Sequence, residues 1–213
     1  YGDPVPGFHG SQGAHSDYFS LPLAARRGQT PPPVDTFCYT SSNARAVSLL
    51  LGASWKLERP GLAQKALVGL APMASMAREG QLSHVYSEEG PSPEPAFLDD
   101  WSELLNALVG AYHHTGQEHY LQDAKEVASG MLHRFFDEDK GGFFDVEKAP
   151  AAIGYLQVRD KPLPENVAAA RALLKLYQAT RNGDYRQVAE ATLSAFVETY
   201  REYGEFSALY GLA

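Results

Sequence analysis

Two stretches of this 213-residue chain repeat one another at a fixed offset of 65 residues. Ala107-Leu108-x3-Tyr112-x2-Thr115-x4-Tyr120-x3-Ala124 matches Ala172-Leu173-x3-Tyr177-x2-Thr180-x4-Tyr185-x3-Ala189, and Gln122 falls on Gln187. Each copy reads as a helical hairpin. Apolar residues recur at three- and four-residue spacing on both arms, and Gly116-Gln117 or Asn182-Gly183 makes the turn. A third hairpin runs through Val47, Leu50, Leu51 and Leu57, breaks at Arg59-Pro60-Gly61, and continues through Leu62, Ala66, Leu67 and Leu70. It aligns at an offset of 58, which puts Leu50 on Leu108 and Ala66 on Ala124. The spacing predicts inner helices near 41–57, 99–115 and 165–181, and outer helices near 62–78, 118–136 and 184–202.

The period selects among helical architectures. Tetratricopeptide units repeat at about 34 residues and HEAT units at about 40–47, with short connections. Here the hairpins are separated by connections of about 20–30 residues, and long loops in an otherwise regular array are usually functional. They carry strand-like or glycine-rich pieces, Gln81-Leu82-Ser83-His84-Val85-Tyr86 and Gly141-Gly142-Phe143-Phe144-Asp145. The expected fold is therefore all-α, an α/α toroid in which inner helices ring an axis, outer helices wrap them, and the loops collect at one rim. Residues 1–39, rich in glycine and proline and stiffened by Pro31-Pro32-Pro33, read as an extended arm; residues 40–213 read as the helical domain.

Charge and cysteine content exclude several functions. Eighteen basic and twenty-six acidic residues give a net charge of −8. That field repels phosphate, so neither nucleic acid nor an anionic membrane is an expected partner. No run of eighteen apolar residues is present. A single cysteine, Cys38, allows no intramolecular disulfide and no Cys-x-x-Cys pair. No signal peptide follows Tyr1, and a cytoplasmic location is the expectation. Because the chain starts at Tyr1, it reads as a processed protein or a piece of a longer one. His113-His114-x4-His119 straddles a turn and carries no metal-ligand spacing, so no metal or other cofactor is expected.

Several segments together resemble a known family. They are Ala96-Phe97-Leu98-Asp99-Asp100-Trp101, the hairpin that follows it, Phe136-Asp137-Glu138-x2-Gly141-Gly142-Phe143-Phe144-Asp145, Arg159-Asp160-Lys161-Pro162-Leu163-Pro164-Glu165-Asn166, and Gly7-Phe8-His9-Gly10-Ser11-Gln12-Gly13-Ala14-His15. The chain resembles the helical region of thioredoxin-domain-containing proteins of the spermatogenesis-associated type. That resemblance implies the six-hairpin glycosidase type of (α/α)6 toroid, which also carries N-acylglucosamine 2-epimerase and several glycosidases. Three departures stand out. Gly13-Ala14-His15 replaces an Asp-Ala-Asp of the relatives, Ser42-Asn43 replaces a Trp-Asn pair, and the thioredoxin-like domain is absent. The lost carboxylates argue against catalysis. Three hairpins make half of a six-hairpin ring, so self-association or packing on the missing half is expected.

The candidate site is the rim where the inner helices start. Asn43, Trp101 and Asn166 occupy repeat-equivalent positions there, with Asp99, Asp100 and Glu165 beside them and Arg159 in the third long loop. Asp99, Asp100 and Glu165 are the candidate catalytic carboxylates, able to act as acid or base or to hold sugar hydroxyls. Asn43, Trp101, Arg159 and Asn166 are the candidate ligand-binding residues. Each has a structural reading too: Asp and Asn at a helix start cap it, and an arginine in a loop ties that loop down. Tyr39, Tyr86, Trp101, Phe143 and Phe144 are either a stacking surface or core. The expected function is a partial toroid binding a sugar-like ligand at its rim; the alternative is a non-enzymatic scaffold for protein assembly.

Overall fold

Six long helices form three antiparallel hairpins. A computed structural model describes residues 7–9, 16–33, 35–149 and 153–212. Two short helices, α1 (Ser16–Ser20) and α2 (Leu23–Arg26), precede strand β1 (Cys38–Tyr39). The hairpins are α3 (Thr40–Lys56) with α4 (Pro60–Arg78), α5 (Leu98–Thr115) with α6 (Glu118–Phe135), and α7 (Leu163–Thr180) with α8 (Gly183–Ser194). Helices α3, α5 and α7 pack side by side as the inner row, and each lies against its own outer partner. This is the all-α toroidal arrangement that the repeat implied.

The identities in the repeat have local physical causes. Thr115 and Thr180 each donate back to a carbonyl one turn earlier, Ala111 and Leu176, at 2.8 Å. Each then accepts the N–H two residues ahead, from Gln117 and Asn182, at 3.2 Å. The following residue closes the helix in a left-handed conformation, Gly116 at φ 68° and Arg181 at φ 60°. Glu58, at φ 54°, is the equivalent of Gly116 in the first hairpin. Between the rows, Leu104, Leu105, Leu108, Leu173 and Leu176 are fully buried with Leu70, Met73 and Met131 in one continuous core.

One further feature matches the strand-like reading of residues 81–86, and one departs from the sequence reading. The helical body carries a small antiparallel sheet, β1 with β2 (Val85–Ser87) and β3 (Gly90–Pro91). It joins the segment before α3 to the loop before α5, pairing Cys38 with Tyr86 and Tyr39 with Val85. The last outer helix stops at Ser194 instead of continuing to residue 202. Thr192 and Ser194 bond back to the carbonyls of Val188 and Glu190, competing with the helix ladder. The chain then bends so that Phe196 is buried against Leu163 and Val167, with Tyr203 and Tyr210 over it. A short 3-10 segment (Tyr200–Phe206) leads into α9 (Ser207–Tyr210).

Candidate functional site

Asp100, in the first turn of α5, is fully buried and anchors the rim. One carboxylate oxygen accepts the Ser41 N–H of α3 at 2.8 Å. The other accepts the Phe97 N–H at 2.9 Å, capping its own helix, and lies 2.9 Å from His84 Nδ1. An ionised carboxylate only accepts, so Nδ1 carries the proton and Nε2 is left for another partner. Burial, reinforced by the charge of Asp99, pushes the Asp100 carboxyl up to about 6, while the Phe97 and His84 bonds pull against that shift. The His84 ring sits between Tyr39 and Phe97, with ring centres 5.7 and 4.8 Å away.

His84, Asp99 and Asp100 place one potential ligand atom each within 4.8 Å of one another. Three N–H groups already occupy the Asp100 oxygens, which leaves that carboxylate little free lone-pair capacity for a cation. His84 was not singled out from the sequence. A signal was present: Leu82, His84 and Tyr86 share one parity, and Leu82 and Tyr86 are both buried, so the histidine points the same way as two core residues.

Asn43 and Asn166 are latches. Asn166 Oδ1 accepts the Phe143 N–H at 2.6 Å, and its Nδ2 donates to the carbonyls of Phe143 and Pro162. Asn43 repeats the set with Phe8 and Tyr39. Both are buried, at 1% and 0% exposure, so the structure places them behind the rim and not on it. The preceding glycines allow the approach: a Cβ at Gly7 would lie 2.9 Å from Asn43 Oδ1, and one at Gly142 3.3 Å from Asn166 Oδ1.

Asp99 and Glu165 are the candidates that the structure brings together. They line one cleft of about 350 Å³ with Phe97, Leu98, Asp145 and Val146. They also line an adjoining one of about 490 Å³, walled by Arg45, Glu103, Arg171, Phe206 and Leu209. Arg45 holds Glu103 through two bonds of 3.0–3.1 Å. Glu165 Oε2 is buried without a hydrogen-bond partner among the described residues. Burial first, then the charges of Asp99 and Asp145, raise the Glu165 carboxyl above its ordinary range, with Arg45 opposing them.

Trp101 and Arg159 turn away from this cleft. The Trp101 ring packs on α6, where a Cβ at Gly130 would fall 2.4 Å from it, and Arg134 lies over its face. Arg159 donates to the carbonyls of Val146 and Arg134 and stacks on Phe144 at 4.0 Å, tying the third loop down. Of the other aromatics, Tyr39 is exposed at the rim, whereas Tyr86 and Phe143 are core. Gly13-Ala14-His15 lies outside the described residues.

Comparison with solved structures gives the same architecture. Cellobiose 2-epimerase from Spirochaeta thermophila superposes with a TM-score of 0.68 at 15% identity, over 92% of this chain and 48% of that one. D-mannose isomerase gives 0.64 at 11% identity, over 80% of this chain and 43% of that one. An inactive double aspartate-to-alanine variant of an α-1,6-mannanase from Salegentibacter sp. HEL1_6, in complex with α-1,6-mannotetrose, gives 0.60 at 14% identity, over 82% and 50%. At such identities the likeness is one of fold. No known family profile matches the chain. Over 105 residues it is 30% identical to the uncharacterized protein B0495.5 of Caenorhabditis elegans, covering 48% of this chain and 14% of that relative. The chain thus spans about half, or less, of the proteins it matches, and its helical body has the α/α-toroid fold of sugar-processing enzymes.

Proposed function

We propose that the rim cleft binds a sugar, with Asp99 and Glu165 taking its hydroxyls and His84, oriented by Asp100, moving a proton. The observation that carries this reading is the Glu165 carboxylate. It is half-buried, lines the cleft with Asp99, and leaves Oε2 without a hydrogen-bond partner among the described residues. A carboxylate desolvated beside another carboxylate is unfavourable in the free protein and is relieved by a ligand that donates hydroxyl hydrogens. The fold is also that of proteins named for cellobiose, mannose and mannan chemistry. Membership of the thioredoxin-domain-containing family belongs to the same reading, as does residues 1–39 serving as an arm on a helical domain of residues 40–213.

Calorimetric titration with cellobiose, mannose and α-1,6-mannotetraose tests binding. Glu165→Gln should weaken binding about tenfold or more while the fold persists, since a hydrogen bond to a charged group contributes about 1.5–3 kcal/mol. Unchanged affinity in Glu165→Gln and Asp99→Asn would exclude the rim. Proton transfer is read separately, as deuterium uptake by the reducing sugar in heavy water, which His84→Asn should abolish.

A second reading rests on Leu49 and Leu57, apolar residues of the first inner helix and its end that stand 68% and 61% exposed. Such surface suits another toroid half or a second copy of the chain. Light scattering that reports only monomers at high concentration would count against the second copy.

A further inference from the structure

A second polar cleft lies further along the same inner helices, lined on α5 from Asn106 to His114, seven to fifteen residues or about 10–22 Å from Asp99 at the helical rise. It holds about 370 Å³, within the range of small-molecule sites. Each inner helix contributes one member of a hydrogen-bonded chain across its floor. Lys175 Nζ donates to Asn106 Oδ1 at 2.5 Å, and Asn106 Nδ2 donates to Ser48 Oγ at 3.1 Å. Ser48 and Asn106 are repeat equivalents, separated by the offset of 58.

The room in this cleft comes from missing side chains. Gly52, Gly110 and Lys175 occupy one repeat-equivalent position, at the offsets of 58 and 65. Two glycines leave bare helix backbone there, and the lysine reaches into the space. A Cβ at Gly52 would meet nothing within 4 Å. Glycine inside a helix costs about 1 kcal/mol relative to alanine, and Gly52 stands where alanine would fit.

Trp55, one turn beyond Gly52, lines the same cleft and is 77% exposed. His113 and His114 line it as well. Burial and the neighbouring Arg171 lower the Lys175 ammonium pKa. Its Nζ donates one hydrogen to Asn106 and keeps others for an oxygen-rich ligand.

We propose that this cleft is a second saccharide site, in which a pyranose ring lays its apolar C–H face on Trp55 and hydrogen-bonds Lys175, Asn106 and Ser48 through its hydroxyls. A flat aromatic face beside a row of fixed donors and acceptors matches a pyranose, which has one apolar face and a hydroxylated edge. The cleft lies one helical turn beyond the Arg45, Glu103 and Arg171 wall of the rim clefts and shares no lining residue with them.

Tryptophan fluorescence tests this directly, because the chain has two tryptophans and the other, Trp101, is 8% exposed. Titrating with cellobiose or methyl α-mannoside should shift the emission to shorter wavelength and saturate. Trp55→Phe should remove that response, and Lys175→Met should weaken it about tenfold. Gly52→Leu should fill the cleft and abolish binding without lowering the melting temperature. Asp99→Asn, which disables the rim, should leave the response intact. A flat titration with both sugars overturns the proposal, as does a saturating shift that survives Gly52→Leu. An emission that is already blue-shifted in the free protein and moves to longer wavelength on dilution also overturns it, because a second copy then covers Trp55.

Discussion

His84 and Asp100 are sixteen residues apart in the chain and meet at 2.9 Å, a β-loop side chain bonded to the first turn of the middle inner helix. The bond fixes the loop to the helix and the imidazole tautomer at once. Asp100 also holds the starts of α3 and α5, so it positions, while His84 lies beside Asp99 with a ligand atom within 4.8 Å.

Replacing Asp100 with alanine should cost about 3 kcal/mol at neutral pH, since it strands three N–H donors. The pH dependence has a definite sign. The folded carboxyl titrates at about 6 against an ordinary value of 3.8. Between those values the native state keeps a proton that the unfolded chain has released, so Asp100 makes the fold less stable as pH rises through the window. The stability gap between wild type and Asp100→Ala should therefore widen as pH falls from 7 to 4.5. Urea unfolding across that range reads it, and a constant gap would show that Asp100 is not titrating there.

Asn43 and Asn166 make matching bonds, so matching losses follow. Asn166→Asp keeps the acceptor for Phe143 N–H but loses both donated bonds and buries a charge. A loss of about 3 kcal/mol or more is expected, and a similar one for Asn43→Asp. Affinity for sugar should change only through stability. A ligand-binding asparagine would instead lose affinity at constant melting temperature.

Left-handed backbone at Arg181 and Glu58 gives an opposite prediction. Their equivalent in the middle hairpin is Gly116, and side chains at positive φ cost about 1 kcal/mol. Arg181→Gly should stabilise by about that amount, raising the melting temperature by about 2–4 °C, and Glu58→Gly similarly. A drop in both variants would mean that those side chains hold contacts worth more than the strain.

Gly130→Ala should destabilise despite its better helix propensity. The added methyl would press 2.4 Å from the Trp101 ring inside a filled interface. Overpacking of this kind costs about 1–3 kcal/mol. A scanning calorimeter would show no loss only if the indole can rotate away.

Hairpins were legible in the sequence because helix periodicity and turn residues are local signals. Their order in space followed from the repeat. The site was harder. Asn43 and Asn166 were singled out for standing at helix starts, but a helix start has several faces, and theirs turn inward to loops whose path no local pattern encodes. Trp101 sits at the same repeat position and turns to Gly130, a contact between residues distant in sequence. Asp99 and Glu165 share a cleft because α5 and α7 are neighbours, which the repeat implies. His84 escaped because its partner is brought in by the sheet, and two- and three-residue strands leave only a faint alternation. The early end of α8 was hidden because Phe196 and Val197 continue the helical spacing of Ala189 and Leu193, although Phe196 turns to Leu163 and Val167 instead.

The bonds at the helix starts form a circuit: Phe8 to Asn43, Ser41 to Asp100, Leu98 to Asp145, and Phe143 to Asn166. Among the described residues, the bonds that cross between inner helices toward the turn ends at Glu58, Gly116 and Arg181 are between side chains, in the run from Ser48 through Asn106 to Lys175, and none of them anchors backbone. The backbone is therefore tied more firmly at the helix starts than at the turns, like a cask hooped most tightly at its mouth. Amide hydrogens around Leu98 and Asn166 should outlast those near Trp55 and Tyr177 in exchange. A ligand at the rim then meets groups already held in place and loses little entropy in ordering them, whereas one at the far mouth must stiffen the helix ends as it binds.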